Sequence, residues 1–170
     1  MCSSDLCHFV ILAKDEDSVD RYLNETLPLA LSDPVELKKR IYNKQMGEYK
    51  IPIWFNNIHP DEAPGIDAIL GLLQSLATQD RVEYDTIDID GGKVEDPSTK
   101  RTVSLSVSEL LDNVIFLFNF TMNPDGRFYN VRANRNGFDL NRDCSFQTQP
   151  EAANTIEEIV NWRPMSFLDF

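Results

Sequence analysis

"VIFLFNF", residues 114–120, decides the architecture: six of its seven residues are apolar and no helical spacing orders them. A strand covered on one face alternates apolar with polar residues. A uniform run of strand length fits a strand covered on both faces, as in an α/β sheet. Just upstream, "SVSELLDN" (106–113) reads as a short helix capped by Ser106 or Ser108. Before it, "VEYDTIDIDGGKVEDPSTKRTVSLSV" (82–107) alternates and turns at Gly91-Gly92, a hairpin-like excursion. "IDAILGLLQSLATQ" (66–79) follows a Pro64-Gly65 break and sets Ile66, Ile69, Leu70, Leu73 and Leu76 on one helical face. "YKIPIWFNNI" (49–58), β-branched and aromatic, is a second strand.

Further out the same alternation continues. "HFVILAKD" (8–15) is a strand, and "DEDSVDRYLNETLPLAL" (15–31) a helix with Val19, Tyr22 and Leu23 on one face. "DPVELKKRIYN" (33–43) is a helix capped by Asp33, with Pro34 in its first turn. Residues 121–149 read as a long irregular polar segment. "PEAANTIEEIVNW" (150–162) is a helix facing inward through Ile156, Ile159 and Val160, and "SFLDF" (166–170) is the next strand. The fold class is α/β, with a mixed, mostly parallel sheet flanked by helices on both faces.

At 170 residues and 42% hydrophobic, the chain has enough apolar content for one core. A formal net charge of −12 argues against nucleic acid and anionic membranes as partners, since both would repel the chain. The longest apolar run, 114–120, is far short of the roughly 20 residues of a membrane span. Cys2, Cys7 and Cys144 show neither zinc-site nor disulfide spacing and read as free thiols.

In such sheets chemistry gathers outside the carboxyl ends of the central strands. Two polar segments fall there: "NNIHPDEAPG" (56–65) and "TMNPDGRFYNVRANRNGFDLNRD" (121–143). His59 and Glu62, three apart, are the ligand types of a catalytic zinc, which takes three protein ligands and keeps a fourth position open. By themselves they read more readily as a loop histidine and a glutamate at a helix start, where the dipole favours negative charge. Arginines in the second segment suit a carboxylate anion, which a guanidinium fork grips with two parallel bonds. The sequons at Asn24 and Asn119 carry little weight, the second lying in a buried strand.

"NNIHPDEAPG", "MNPDGR", "RANRNGFDLNRD" and "QPE" resemble, in order and spacing, the zinc metallocarboxypeptidases of the carboxypeptidase A-like fold, over roughly residues 48–170. The resemblance implies a zinc cofactor held by His59 and Glu62. It implies Arg132 as the residue that polarises the scissile carbonyl, with Asn141 and Arg142 holding the free C-terminal carboxylate of a peptide substrate. Arg127 and Arg135 compete for the Arg132 role but lack its spacing to "GFDLNR". Asp139 is expected to buttress the loop, Asp143 to temper the clamp beside Arg142, and Glu151 to serve structure; His8 matches no ligand position. Relatives acting on cell-wall peptides or N-acyl amino acids share this set, and a non-catalytic peptide-binding domain is a further alternative. Secretion or a cell-envelope location follows by resemblance only.

Both ends raise expectations of their own. Residues 1–6, "MCSSDL", match what a sequencing adapter would encode. Residues 7–170 read as an incomplete catalytic domain, cut before the third zinc ligand, the general-base glutamate and the capping tyrosine that the resemblance places downstream.

Overall fold

The computed structural model describes residues 9–47, 49–87, 89–90, 93–94 and 100–170. Cys2, Cys7, His8, the 1–6 leader and the Gly91-Gly92 turn lie outside the described residues. The chain runs β1 (Phe9–Leu12), α1 (Glu16–Arg21), a π turn (Tyr22–Thr26), α2 (Leu27–Ser32), α3 (Pro34–Tyr42) and β2 (Ile51–Asn56). It continues with α4 (Ala63–Thr78), β3 (Arg81–Thr86), β4 (Ile89–Asp90), β5 (Lys93–Val94), β6 (Arg101–Ser106), α5 (Val107–Asn113) and β7 (Val114–Asn119). α6 (Pro124–Tyr129), a 3-10 turn (Leu140–Arg142), α7 (Pro150–Trp162) and β8 (Ser166–Asp169) complete it.

The main sheet has the order β1-β7-β2-β8. β7 and β8 are parallel to β2, and β1 is antiparallel to β7, giving the mixed, mostly parallel sheet expected. The uniform apolar run of β7 has its cause in packing. Phe116 and Phe118 face Phe55, Ile69, Leu76 and Val107 on the side covered by α4 and α5. Ile115 and Leu117 face Trp54, Tyr22 and Trp162 on the side covered by the 16–32 helical run and α7. Side chains of a strand alternate faces, so only an all-apolar strand can bury both. Tyr22 keeps its hydroxyl satisfied in that core by donating to the carbonyl of Trp162 at 2.7 Å, and burial pushes its pKa up to about 12.

Caps follow the sequence. Asp33 accepts from the Glu36 N–H at 2.9 Å, and Ser106, not Ser108, caps α5. The excursion contains two antiparallel strand pairs outside the main sheet, β3 with β6 and β4 with β5.

Four expectations need correction. α4 begins at Ala63, so Pro64 and Gly65 lie in its first turn, where a proline lacking its N–H costs nothing. Leu70 on α4 and Val160 on α7 are exposed, because each helix packs along a stripe narrower than its apolar face; Trp162 is buried instead. The segment 121–149 is not wholly irregular. Asn123 caps α6 by accepting from the Gly126 N–H at 2.8 Å, with Pro124 in the first turn.

The topology creates one crevice. The connection leaving β2 carries α4 and α5 over one face, whereas that leaving β7 carries α7 over the other. Where adjacent strands send their connections to opposite faces, a crevice opens at their carboxyl ends.

Candidate functional site

Three strand ends meet at this crevice and are tied by buried amides. Asn119 at the end of β7 donates to Asn56 Oδ1 at 2.8 Å, and Asn56 donates to Asp169 Oδ1 at the end of β8 at 2.9 Å. The same Asp169 oxygen accepts from the Ile58 N–H at 3.2 Å, and the Met122 N–H donates to the Asn57 carbonyl at 2.9 Å. Both loops therefore leave the sheet from a fixed base. A small apolar cluster of Ile58, Met122, Leu140 and Ala152 lies beneath them.

His59 and Glu62 sit on the first loop, joined by a turn in which the Glu62 N–H donates to the His59 carbonyl at 3.1 Å. Their side chains converge: His59 Nδ1 is 3.0 Å from Glu62 Oε1. The second loop brings its side chains to the other edge of the same imidazole. Arg132 Nη2 lies 2.6 Å from His59 Nε2, and Asn141 Nδ2 lies 3.0 Å from it. Arg132 Nη1 is also 3.6 Å from Glu62 Oε1. Residues 73 and 82 positions beyond His59 thus reach one ring. Arg142 stands beside them, its guanidinium donating to the Asn141 carbonyl at 3.2 Å.

The geometry of the second loop depends on several asparagines and two aspartates. Asn134 is buried; its Oδ1 accepts from the Asn136 and Phe138 N–H groups at 3.0 Å each, and its amide donates to Gln149 at 3.0 Å and more weakly to Glu151 at 3.5 Å. Gly137, at φ +82°, closes that turn in a conformation that a side chain would strain. Asn123 donates to the Arg132 carbonyl at 3.1 Å. Gly126 is needed for close approach, since a Cβ there would meet Pro60 Cγ, the Val131 carbonyl and Asn123 at 2.6 Å each. It lets α6 lie against the residue next to His59.

Asp139 does buttress the loop, and it also holds Arg132. Its Oδ2 accepts from Arg132 Nε at 3.0 Å and its Oδ1 from the Asn141 N–H at 3.0 Å. Burial alone would raise the Asp139 pKa, but these donors more than offset it and hold the carboxyl below its ordinary value. The same pairing raises Arg132, which stays cationic.

Asp143 departs from expectation. It is buried and accepts from the Thr148 N–H at 3.1 Å, the Thr148 hydroxyl at 2.5 Å and the Gln149 N–H at 2.7 Å. It ties the loop to the start of α7 rather than tempering Arg142. Against the raising effect of burial, these bonds lower its pKa. A depressed carboxyl stabilises the fold above its unfolded value of about 3.9, and that contribution is lost as pH falls through the folded value. Asp143→Asn is therefore expected to flatten the loss of thermal stability below about pH 4. Melting curves from neutral to acid pH check this, and equal acid sensitivity in both proteins would refute it.

Glu151, at the start of α7, is buried as a structural residue would be. Cys144 carries a free thiol that donates weakly to the Leu140 carbonyl at 3.6 Å, its pKa raised chiefly by burial. Asn56, Asn123, Asn134 and Asp169 were not singled out from the sequence. The three asparagines fall within the quoted motifs without marking a role, and Asp169 carries no signal there.

The donor set suits zinc, which binds imidazole nitrogen and carboxylate oxygen. A tetrahedral ion with bonds near 2.0–2.1 Å holds its ligand atoms about 3.3 Å apart. His59 Nδ1 and Glu62 Oε1 need to open by only a few tenths of an ångström. Among the described residues, no cluster of three histidine, cysteine, aspartate or glutamate side chains is present, so this chain shows two donors.

Comparison with known proteins gives a consistent picture. The profile of a family described as zinc carboxypeptidase matches residues 43–163. No curated protein matches the chain. Among solved structures, the metallo-carboxypeptidase of Burkholderia cenocepacia matches with a TM-score of 0.53 and 25% identity, over 72% of this chain and 29% of that one. A Shewanella denitrificans OS-217 protein whose name places it with carboxypeptidase A matches with a TM-score of 0.57 and 21% identity, over 96% of this chain and 30% of that one. The chain thus spans about 30% of the length of these structures.

Proposed function

The chain belongs to the zinc carboxypeptidase family, and on that premise we propose that it forms part of a zinc-dependent metallocarboxypeptidase that releases C-terminal amino acids from peptides. The observation that carries the reading is the convergence of Glu62, Arg132 and Asn141 on the single imidazole of His59.

In this reading His59 and Glu62 hold the metal. Zinc, when bound, lowers the pKa of a coordinated water and polarises a carbonyl. Arg132 turns its guanidinium to the scissile carbonyl and stabilises the negative charge that grows on its oxygen. The Asn141 amide and the Arg142 guanidinium receive the terminal carboxylate of the peptide, the charge-assisted contact that a guanidinium makes best. Asp139 fixes Arg132 through Nε and Asn141 through its backbone N–H, so one carboxylate aligns both. A peptide with a free carboxylate is accordingly the proposed substrate.

The 170 residues themselves are proposed to be an incomplete catalytic domain, since among the described residues two metal donors and no general base are assigned. Purified 170-residue chain with added zinc should release no amino acid above the buffer control.

The test is made on the complete catalytic domain that contains this segment. It should release the terminal residue of a blocked dipeptide with zinc, cease on chelation, and leave the C-terminally amidated dipeptide intact. Release that survives chelation, or equal cleavage of the amidated peptide, would overturn the proposal.

A further inference from the structure

We propose that Arg132 and the metal compete for His59 and Glu62, so that metal binding frees the arginine for the substrate carbonyl; this rests on the zinc reading above. The guanidinium lies 2.6 Å from His59 Nε2 and 3.6 Å from Glu62 Oε1, the same oxygen that faces His59 Nδ1 at 3.0 Å. It thus touches both side chains that would hold the ion.

The two arrangements exclude each other by hydrogen-bond chemistry. A guanidinium only donates, so the contact requires His59 Nε2 to accept, which puts the hydrogen of a neutral ring on Nδ1, facing Glu62. A metal on Nδ1 takes that nitrogen's lone pair and moves the ring hydrogen to Nε2. There it would point at a cationic donor 2.6 Å away. A metal on Nε2 would need the place that Arg132 Nη2 fills. Both modes displace Arg132. The Asn141 amide is different, because it can turn over and present its oxygen to an Nε2–H. Charge acts in the same direction, since a dication and a guanidinium drawn to one carboxylate oxygen repel each other. Asp139 keeps hold of Arg132 Nε at 3.0 Å, an anchor that the metal does not contest.

The prediction is counterintuitive: deleting a residue of the proposed active site should improve metal binding. Zinc is titrated calorimetrically into the 170-residue chain and into Arg132→Ala, Arg132→Gln, Arg127→Ala and His59→Ala, each checked for native circular dichroism. Arg132→Ala and Arg132→Gln should bind roughly tenfold more tightly, the factor that a charge-assisted contact on a partly exposed pair represents. Arg127→Ala removes a positive charge from the same segment (α6) but leaves the His59 contact, so its affinity should stay within about twofold, as for a screened charge. His59→Ala should abolish specific binding. Unchanged or weaker binding by both Arg132 variants, with wild type binding through His59, would overturn the competition alone. Absence of His59-dependent binding in every protein would overturn the zinc reading together with it.

Discussion

Arg132→Ala is expected to lower kcat of the complete catalytic domain by roughly 10²–10³-fold with KM for the peptide nearly unchanged, the behaviour of a group that acts on charge developing in the transition state. That factor corresponds to about 2.7–4 kcal/mol. It is large because the guanidinium is fixed in advance. Asp139 holds Nε at 3.0 Å, and Asn123 holds the Arg132 carbonyl at 3.1 Å, so little reorganisation is needed during reaction. Steady-state kinetics at saturating zinc check it. A raised KM with kcat intact would move Arg132 to ground-state binding and leave the carbonyl without its proposed partner. The same substitution is expected to tighten zinc binding, so its two effects have opposite signs. Simple damage to the loop would weaken both.

Phe118→Ala is expected to cost about 3–5 kcal/mol of stability, the range for emptying a buried phenylalanine site. Phe118 is 0% exposed and stacks against Phe55 at 5.3 Å and against Phe116 and Phe120 at 6.2 Å. Its strand is bonded on both sides, so neighbours cannot close over the cavity without breaking register. With small domains stable by only about 5–15 kcal/mol, the variant should melt at a far lower denaturant concentration. Phe128→Ala is the control: that ring is 81% exposed, and its loss should change stability by less than about 0.5 kcal/mol. Similar losses in the two variants would contradict the burial assigned here.

Much of this was legible in the sequence for a physical reason. β7 had to read as uniformly apolar because it buries alternate residues against two different clusters. The caps Asp33 and Ser106 announced helix starts, since their oxygens accept from N–H groups three residues on. His59, Glu62, Arg132 and Asn141 were picked out in advance, and the structure draws them together. Less local features stayed hidden. The Asn123-Pro124 start of α6 was passed over within a polar, glycine-containing stretch, although it carries a cap and a first-turn proline. Asp143 looked like a charge beside Arg142. Only the folded loop shows it receiving Thr148 and Gln149, five and six residues on. Asp169 belongs to no motif, and its tie to Asn56 spans 113 positions that no periodicity connects.

The parallel pairing of β2 with β7 also sets an order of events during folding. His59 and Glu62 are three residues apart and meet through one local turn, which forms fast and needs no distant partner. Arg132 reaches the same ring only after a loop of 73 residues has closed and the two strands have found register. Non-local parallel contacts of this kind form late, because their chain entropy is lost before the contacts repay it. A refolding chain therefore offers its histidine and glutamate to the solvent before its arginine arrives. Zinc present from the start of refolding should be captured faster than zinc added to the finished fold, and stopped-flow mixing in the two orders would measure the difference.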